Sequence, residues 1–92
     1  MRRATRVDNT QKDIVHALRV AGATVQHLHA VGEGCPDIVV GYRRKNYLLE
    51  VKVKSGTLSP DQSMWHIAWK GQVNIVTTAE EALAAIGARS SL

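Results

Sequence analysis

Apolar positions near the start of the chain recur at helical spacing. Ile14, Val15, Ala17, Leu18 and Ala21 fall on one stripe, which predicts a helix over residues 9–21. Asp8, Asn9 or Thr10 is placed to cap it, and Gly22 to stop it. Beyond that point the pattern shortens to strand-like runs. Residues 23–28 read as a first strand. Residues 37–42 and 47–53 read as two more, folded into a hairpin by the polar turn Arg43-Arg44-Lys45-Asn46. Ser55-Gly56-Thr57 breaks the sheet. Ser59 as cap and Pro60 in the first turn then open a second helix, which runs to about Lys70 and is ended by Gly71. Residues 73–76 form a fourth strand. Thr78 and Glu81 make a capping box for a last helix through Ile86, stopped by Gly87. The order is α-β-β-β-α-β-α. A helical crossover between the third and fourth strands permits a parallel pair there, giving an α/β fold with a mixed four-stranded sheet.

With 92 residues the chain makes one small domain, residues 1–92, with a basic and flexible segment over 1–7. Lys and Arg number 12 against 8 for Asp and Glu, a net charge of +4. The excess is clustered at Arg2, Arg3 and Arg6 and at Arg43, Arg44 and Lys45, followed by Lys52 and Lys54. Clusters of this kind favour a phosphate-bearing partner, although a basic turn also serves simply as a solvated loop. Cys35 is the only cysteine, so no intrachain disulfide forms, in keeping with a reducing cytoplasm. No ordered His/Asn set accompanies it, and a small buried residue is the better reading than a nucleophile. No apolar run is long enough to span a membrane, and a cytoplasmic location is expected.

The chemistry concentrates in Asp37, Glu50 and Lys52. Glu50 and Lys52 are two apart in Leu48-Leu49-Glu50-Val51-Lys52-Val53, so they share one strand face. An isolated Glu-x-Lys is usually a solvated charge pair. Inside so apolar a strand, charges need partners or a task. The hairpin brings Asp37 to the same face. Two carboxylates, with the Val51 carbonyl between the side chains, suit a hard cation that also takes water and phosphate oxygens. Val31-Gly32-Glu33-Gly34 is neither a P-loop nor a dinucleotide fingerprint, since no helix follows it. Its glycines are expected to admit backbone close to metal or DNA, with Glu33 as an ordinary loop carboxylate. His27 and His29 share a strand face and His66 lies on a later helix. Lacking a third ligand at zinc spacing, they read as polar-face or DNA-proximal residues. Trp65 and Trp69, four apart, read as core or interface packing rather than a base-stacking platform.

Gly34-Cys35-Pro36-Asp37, Leu49-Glu50-Val51-Lys52 and Leu58-Ser59-Pro60-Asp61-Gln62, in that order, resemble the PD-(D/E)XK nuclease superfamily, and within it the stand-alone VRR-NUC type of phages and bacteria. The resemblance spans roughly residues 8–86. It implies a restriction-endonuclease-like core and metal-dependent DNA hydrolysis, with Mg2+ as cofactor and Mn2+ able to substitute. It further implies metal ligation by Asp37, Glu50 and the Val51 carbonyl. Lys52 would act on the attacking water and the transition state, and Gln62 as a helper on the lysine, water or phosphate. Where the family often carries a first-helix Glu as a further ligand, this chain offers Asp8, Gln11 and Asp13, with Asp8 the best placed. Stand-alone relatives imply branched DNA such as four-way junctions as substrate and a homodimer, paired through the second helix with Trp65 and Trp69 and through the last helix. Arg43, Arg44, Lys45 and Lys54 are the expected DNA contacts. The alternatives are a nickase or restriction-like enzyme on duplex DNA and a non-catalytic DNA-binding accessory protein.

Overall fold

The computed structural model describes residues 3–89, with side chains from residue 9 onward. Its elements are α1 (Arg3–Val20), β1 (Thr24–His27), β2 (Ile38–Tyr42), β3 (Lys45–Val51), α2 (Pro60–Ala68), β4 (Asn74–Val76) and α3 (Ala79–Ala85). The expected order α-β-β-β-α-β-α holds. α1 begins well ahead of the expected start near Asn9, because no Gly or Pro interrupts the chain before it; Asp8, Asn9 and Thr10 are interior to the helix rather than its cap. The Arg2, Arg3 and Arg6 side chains and that of Asp8 lie outside the described residues.

The four strands lie in the order β1-β2-β3-β4. β1 with β2 and β2 with β3 are antiparallel, whereas β3 with β4 is parallel, across the α2 crossover. The hairpin is tighter than its sequence implies. Tyr42 pairs with Lys45, so the turn is Arg43-Arg44 alone, and both residues take positive φ (51° and 68°). The right-handed twist of the strands selects this turn hand for a two-residue loop, even though neither residue is Gly or Asn.

Strand alternation sorts the sheet into two faces. Ile38, Val40, Leu49 and Val51 point to one side and are buried beneath Ile14, Val15 and Leu18 of α1 and Ala82, Leu83 and Ile86 at α3. The apolar side of α3 is thus consumed against α1 and is not the free interface expected for it. Glu50 points to the other side, which is covered by α2, a helix with no buried residue of its own. The core therefore lies on one face, and a polar site is built on the other.

β3 is longer than β4, and part of its edge has no strand partner. The Gln72 side chain fills the gap. Its Oε1 accepts the Leu48 N–H at 2.7 Å and its Nε2 donates to the Leu48 carbonyl at 2.9 Å, in the manner of another strand. Gln72→Ala is expected to cost about 1 kcal/mol in urea unfolding, because the bonds are solvent-exposed, and to speed hydrogen exchange at the Leu48 amide while leaving the opposite end of β3 unchanged.

Candidate active site

β2 starts and β3 ends at the same end of the sheet, which brings Asp37 beside Glu50 and Val51. Asp37 Oδ2 accepts the Val51 N–H at 2.7 Å. The N–H and carbonyl of one strand residue face the same edge, so the Val51 carbonyl opens toward Asp37 as well. Glu50 is 1% exposed. Burial first, then a hydrogen bond with Asp37 and the charge of Asp37, push its carboxyl from the ordinary 4.5 up to about 8, against the opposing pull of Lys52. Glu50 therefore keeps its proton at neutral pH.

α2 supplies the other wall. Ser59 and Gln62 form a capping box: the Gln62 N–H donates to Ser59 Oγ at 3.2 Å, and the Ser59 N–H donates to Gln62 Oε1 at 2.9 Å. The same Gln62 oxygen accepts from Lys52 Nζ at 2.7 Å, and Gln62 Nε2 donates to Glu50 Oε2 at 3.3 Å. One turn later, His66 Nε2 lies 3.5 Å from Glu50 Oε1. Burial and the Lys52 charge lower the His66 pKa. With His66 driven neutral and Glu50 protonated, that contact is a hydrogen bond between neutral groups at pH 7 rather than an ion pair. His66, expected as a polar-face or DNA-proximal residue, is instead a partner of the buried Glu50 carboxyl. Its placement four residues after Gln62, on the same helix face, was the available signal.

Gly34 fixes how the loop before Asp37 meets α2. Its φ is +80°, and a Cβ there would meet the Asp61 carbonyl oxygen at 2.3 Å and the Gln62 nitrogen at 3.0 Å. The backbone that this glycine admits is the start of α2, rather than the metal or DNA expected beside it. Cys35 is half-buried, and burial with the charges of Glu50 and Asp37 pushes its thiol up, which disfavours the reactive thiolate.

No protein-family model matches the sequence, and no curated protein matches it. A solved structure described as a VRR-NUC domain matches the fold with a TM-score of 0.72 and 22% sequence identity, covering 88% of this chain and 94% of the other. The chain has a VRR-NUC domain fold.

In this VRR-NUC fold the predicted residues divide into two groups. Asp37, Glu50, Val51, Lys52 and Gln62 converge at one end of the sheet. Arg43, Arg44 and Lys45 sit at the opposite end, because the hairpin turn caps the far ends of β2 and β3; at the usual rise the five residues of β2 put them about 17 Å away. Lys54 follows the end of β3 and acts on Glu81, whose pKa is lowered chiefly by its hydrogen bonds to the Thr77 backbone and hydroxyl, with the Lys54 charge a smaller cause. Glu81 reaches back to Thr77, one residue beyond the Thr78 cap expected as its partner, while the Thr78 hydroxyl accepts the Glu81 N–H. Gln11 is turned toward His27 at 3.3 Å, and Asp13 lines a recess with Thr77 and Glu80. Neither reaches the carboxylate pair. Among the described residues, no group of three or more His, Cys, Asp or Glu could hold a metal ion, so a cation here would rely on two carboxylates and a carbonyl.

Two outcomes follow from this geometry. Gly34→Ala is expected to destabilise the domain by about 1–3 kcal/mol in urea unfolding, through positive-φ strain and the clash at α2, with loss of the Gln62 contacts visible in NMR side-chain amide shifts. The second concerns pH. Because the folded Glu50 pKa of about 8 lies above 4.5, its protonation contributes stability that is complete below 4.5 and lost as pH rises through 8. In EDTA, the urea midpoint should fall between about pH 5 and about pH 9, and Glu50→Gln should flatten that slope.

Proposed function

We propose that the chain is a metal-dependent endonuclease that hydrolyses DNA phosphodiester bonds, acting on branched DNA such as four-way junctions. The convergence of Asp37, Glu50, Lys52 and Gln62 around one buried carboxyl carries this reading. The fold likeness and the basic charge agree with it.

The residues present fit a hard divalent cation. A buried carboxyl that keeps its proton at pH 7 beside a second carboxyl is a place where a cation would replace that proton, and all the donors are oxygens. Asp37, Glu50 and the Val51 carbonyl would hold Mg2+, or Mn2+ in its place. When bound, such an ion neutralises phosphate charge and lowers the pKa of its water. Lys52, anchored by Gln62, stabilises charge developing on the phosphate and orients the attacking water. Gln62 fixes the lysine and holds the free oxygen of Glu50. Binding of DNA to Asp37 or Lys52 variants draws on phosphate contacts outside this cluster and is retained.

A homodimer goes with this reading, since paired cuts across a junction require two sites. On α2, Met64 and Ile67 are 71% and 85% exposed, and Trp69, stacked on Trp65 at 4.5 Å, is 44% exposed. That apolar surface is the proposed contact. Among the described residues, no helix is long and apolar enough to cross a membrane, and a cytoplasmic setting is proposed with the activity.

The test is a cleavage assay on a panel of junction, nicked and linear DNA. Cutting is expected with Mg2+ or Mn2+ and is abolished by EDTA. Lys52→Ala and Asp37→Ala are each expected to lower the cleavage rate on the order of 100-fold or more, with circular dichroism unchanged. Wild-type rates from Lys52→Ala would overturn the assignment, and binding without any cutting would favour the accessory-protein reading.

A further inference from the structure

A groove of about 530 Å3 runs between α1 and β1, lined by Lys12, His16, Arg19, His27 and His29 over a floor that includes Val15. No carboxylate lines it, and neither Lys12 nor Arg19 makes an ion pair among the described residues. It begins at the active end of the sheet. His27 pairs with Ile38, and Leu28, between the two histidines, donates its N–H to the Asp37 carbonyl at 2.8 Å. From there the groove follows α1 past His16 to Arg19. Lys12 and Arg19 are two helical turns apart, about 10 Å along the axis, close to the rise of three nucleotides of one DNA strand.

We infer that this groove binds the phosphate backbone of the DNA strand where it continues beyond the scissile position. The inference rests on the nuclease reading above and adds a track for the flanking strand. Two cations without an ion pair among the described residues, on a wall where those residues place no carboxylate, attract phosphates, imidazole N–H groups donate to phosphate oxygens, and the apolar floor accepts sugar carbons. At its His27–His29 end the groove, on the α1 face of the sheet, meets the Asp37 backbone through Leu28, whereas the Arg43-Arg44-Lys45 turn lies at the far end of the sheet. The main electrostatic anchor for DNA near the chemistry is therefore α1 with β1.

The test uses the full chain and the doubly substituted Lys12→Ala/Arg19→Ala variant, both of whose altered side chains are solvent-exposed. Binding to a long duplex or junction is measured across salt concentrations, and turnover is measured on a minimal duplex covering only the scissile site. Loss of two phosphate contacts should lower the log–log salt slope by about 1.8 and the affinity about 50-fold near 0.1 M salt. Turnover on the minimal duplex should be unchanged, and Lys12→Arg/Arg19→Lys should restore the slope. An unchanged slope, with wild-type cleavage intact, would overturn the groove and leave the nuclease reading standing. Equal loss of turnover on the minimal duplex would overturn it too, by placing these residues in the chemistry. A wild-type chain that neither binds nor cuts DNA would take both readings down together.

Discussion

The Glu50 carboxyl is the constraint around which one face of this domain is arranged. It sits on an apolar strand with almost no access to water, where an ionised carboxylate without partners is unfavourable by several kcal/mol. Asp37, just ahead of β2, and Gln62 and His66 from α2 supply those partners, and they come from separate parts of the chain that meet only in the folded protein. Without a cation the carboxyl is accommodated by keeping a proton. Under the proposed nuclease reading a bound cation would take the place of that proton.

The division of the sheet explains how so small a domain carries such a group. Stability is concentrated on the face packed by α1 and α3, where Ile14, Leu18, Ile38, Val40, Leu49 and Val76 are almost fully buried. α2 buries no residue and is held largely by polar contacts through Gln62 and His66 and by the close backbone approach at Gly34. Gln62 therefore does two things with one side chain, closing the N-terminal turn of its helix and fixing Lys52 and Glu50. Local helix chemistry and site geometry are coupled, because the capping box sets where the glutamine amide points.

Charge is distributed by topology rather than by sequence clustering. The most basic run in the middle of the chain, at the hairpin, is carried to the end of the sheet remote from Asp37. Lys12, Arg19, His27 and His29, spread over two elements and unremarkable one by one, are gathered into one groove whose histidine end meets the Asp37 backbone.

The sequence by itself determined the order of elements, the two-residue spacing that sets Glu50 and Lys52 on one face, the Pro36-Asp37 lead into β2, which begins at Ile38 rather than at Asp37, and the Ser59–Gln62 cap, because these depend on local periodicity and local hydrogen bonding. It did not determine where α1 begins, since a stretch without a breaker gives no local stop. Nor did it give the two-residue hairpin turn, which the strand twist selects against the preferences of Arg43 and Arg44. The joining of His66 to Glu50, the purpose of Gly34, the loss of the α3 face to α1 and the distance of the basic hairpin from the carboxylates were decided by tertiary structure alone. Each depends on which element crosses which face of the sheet, a choice made by burial of the whole apolar surface rather than by any short run of residues.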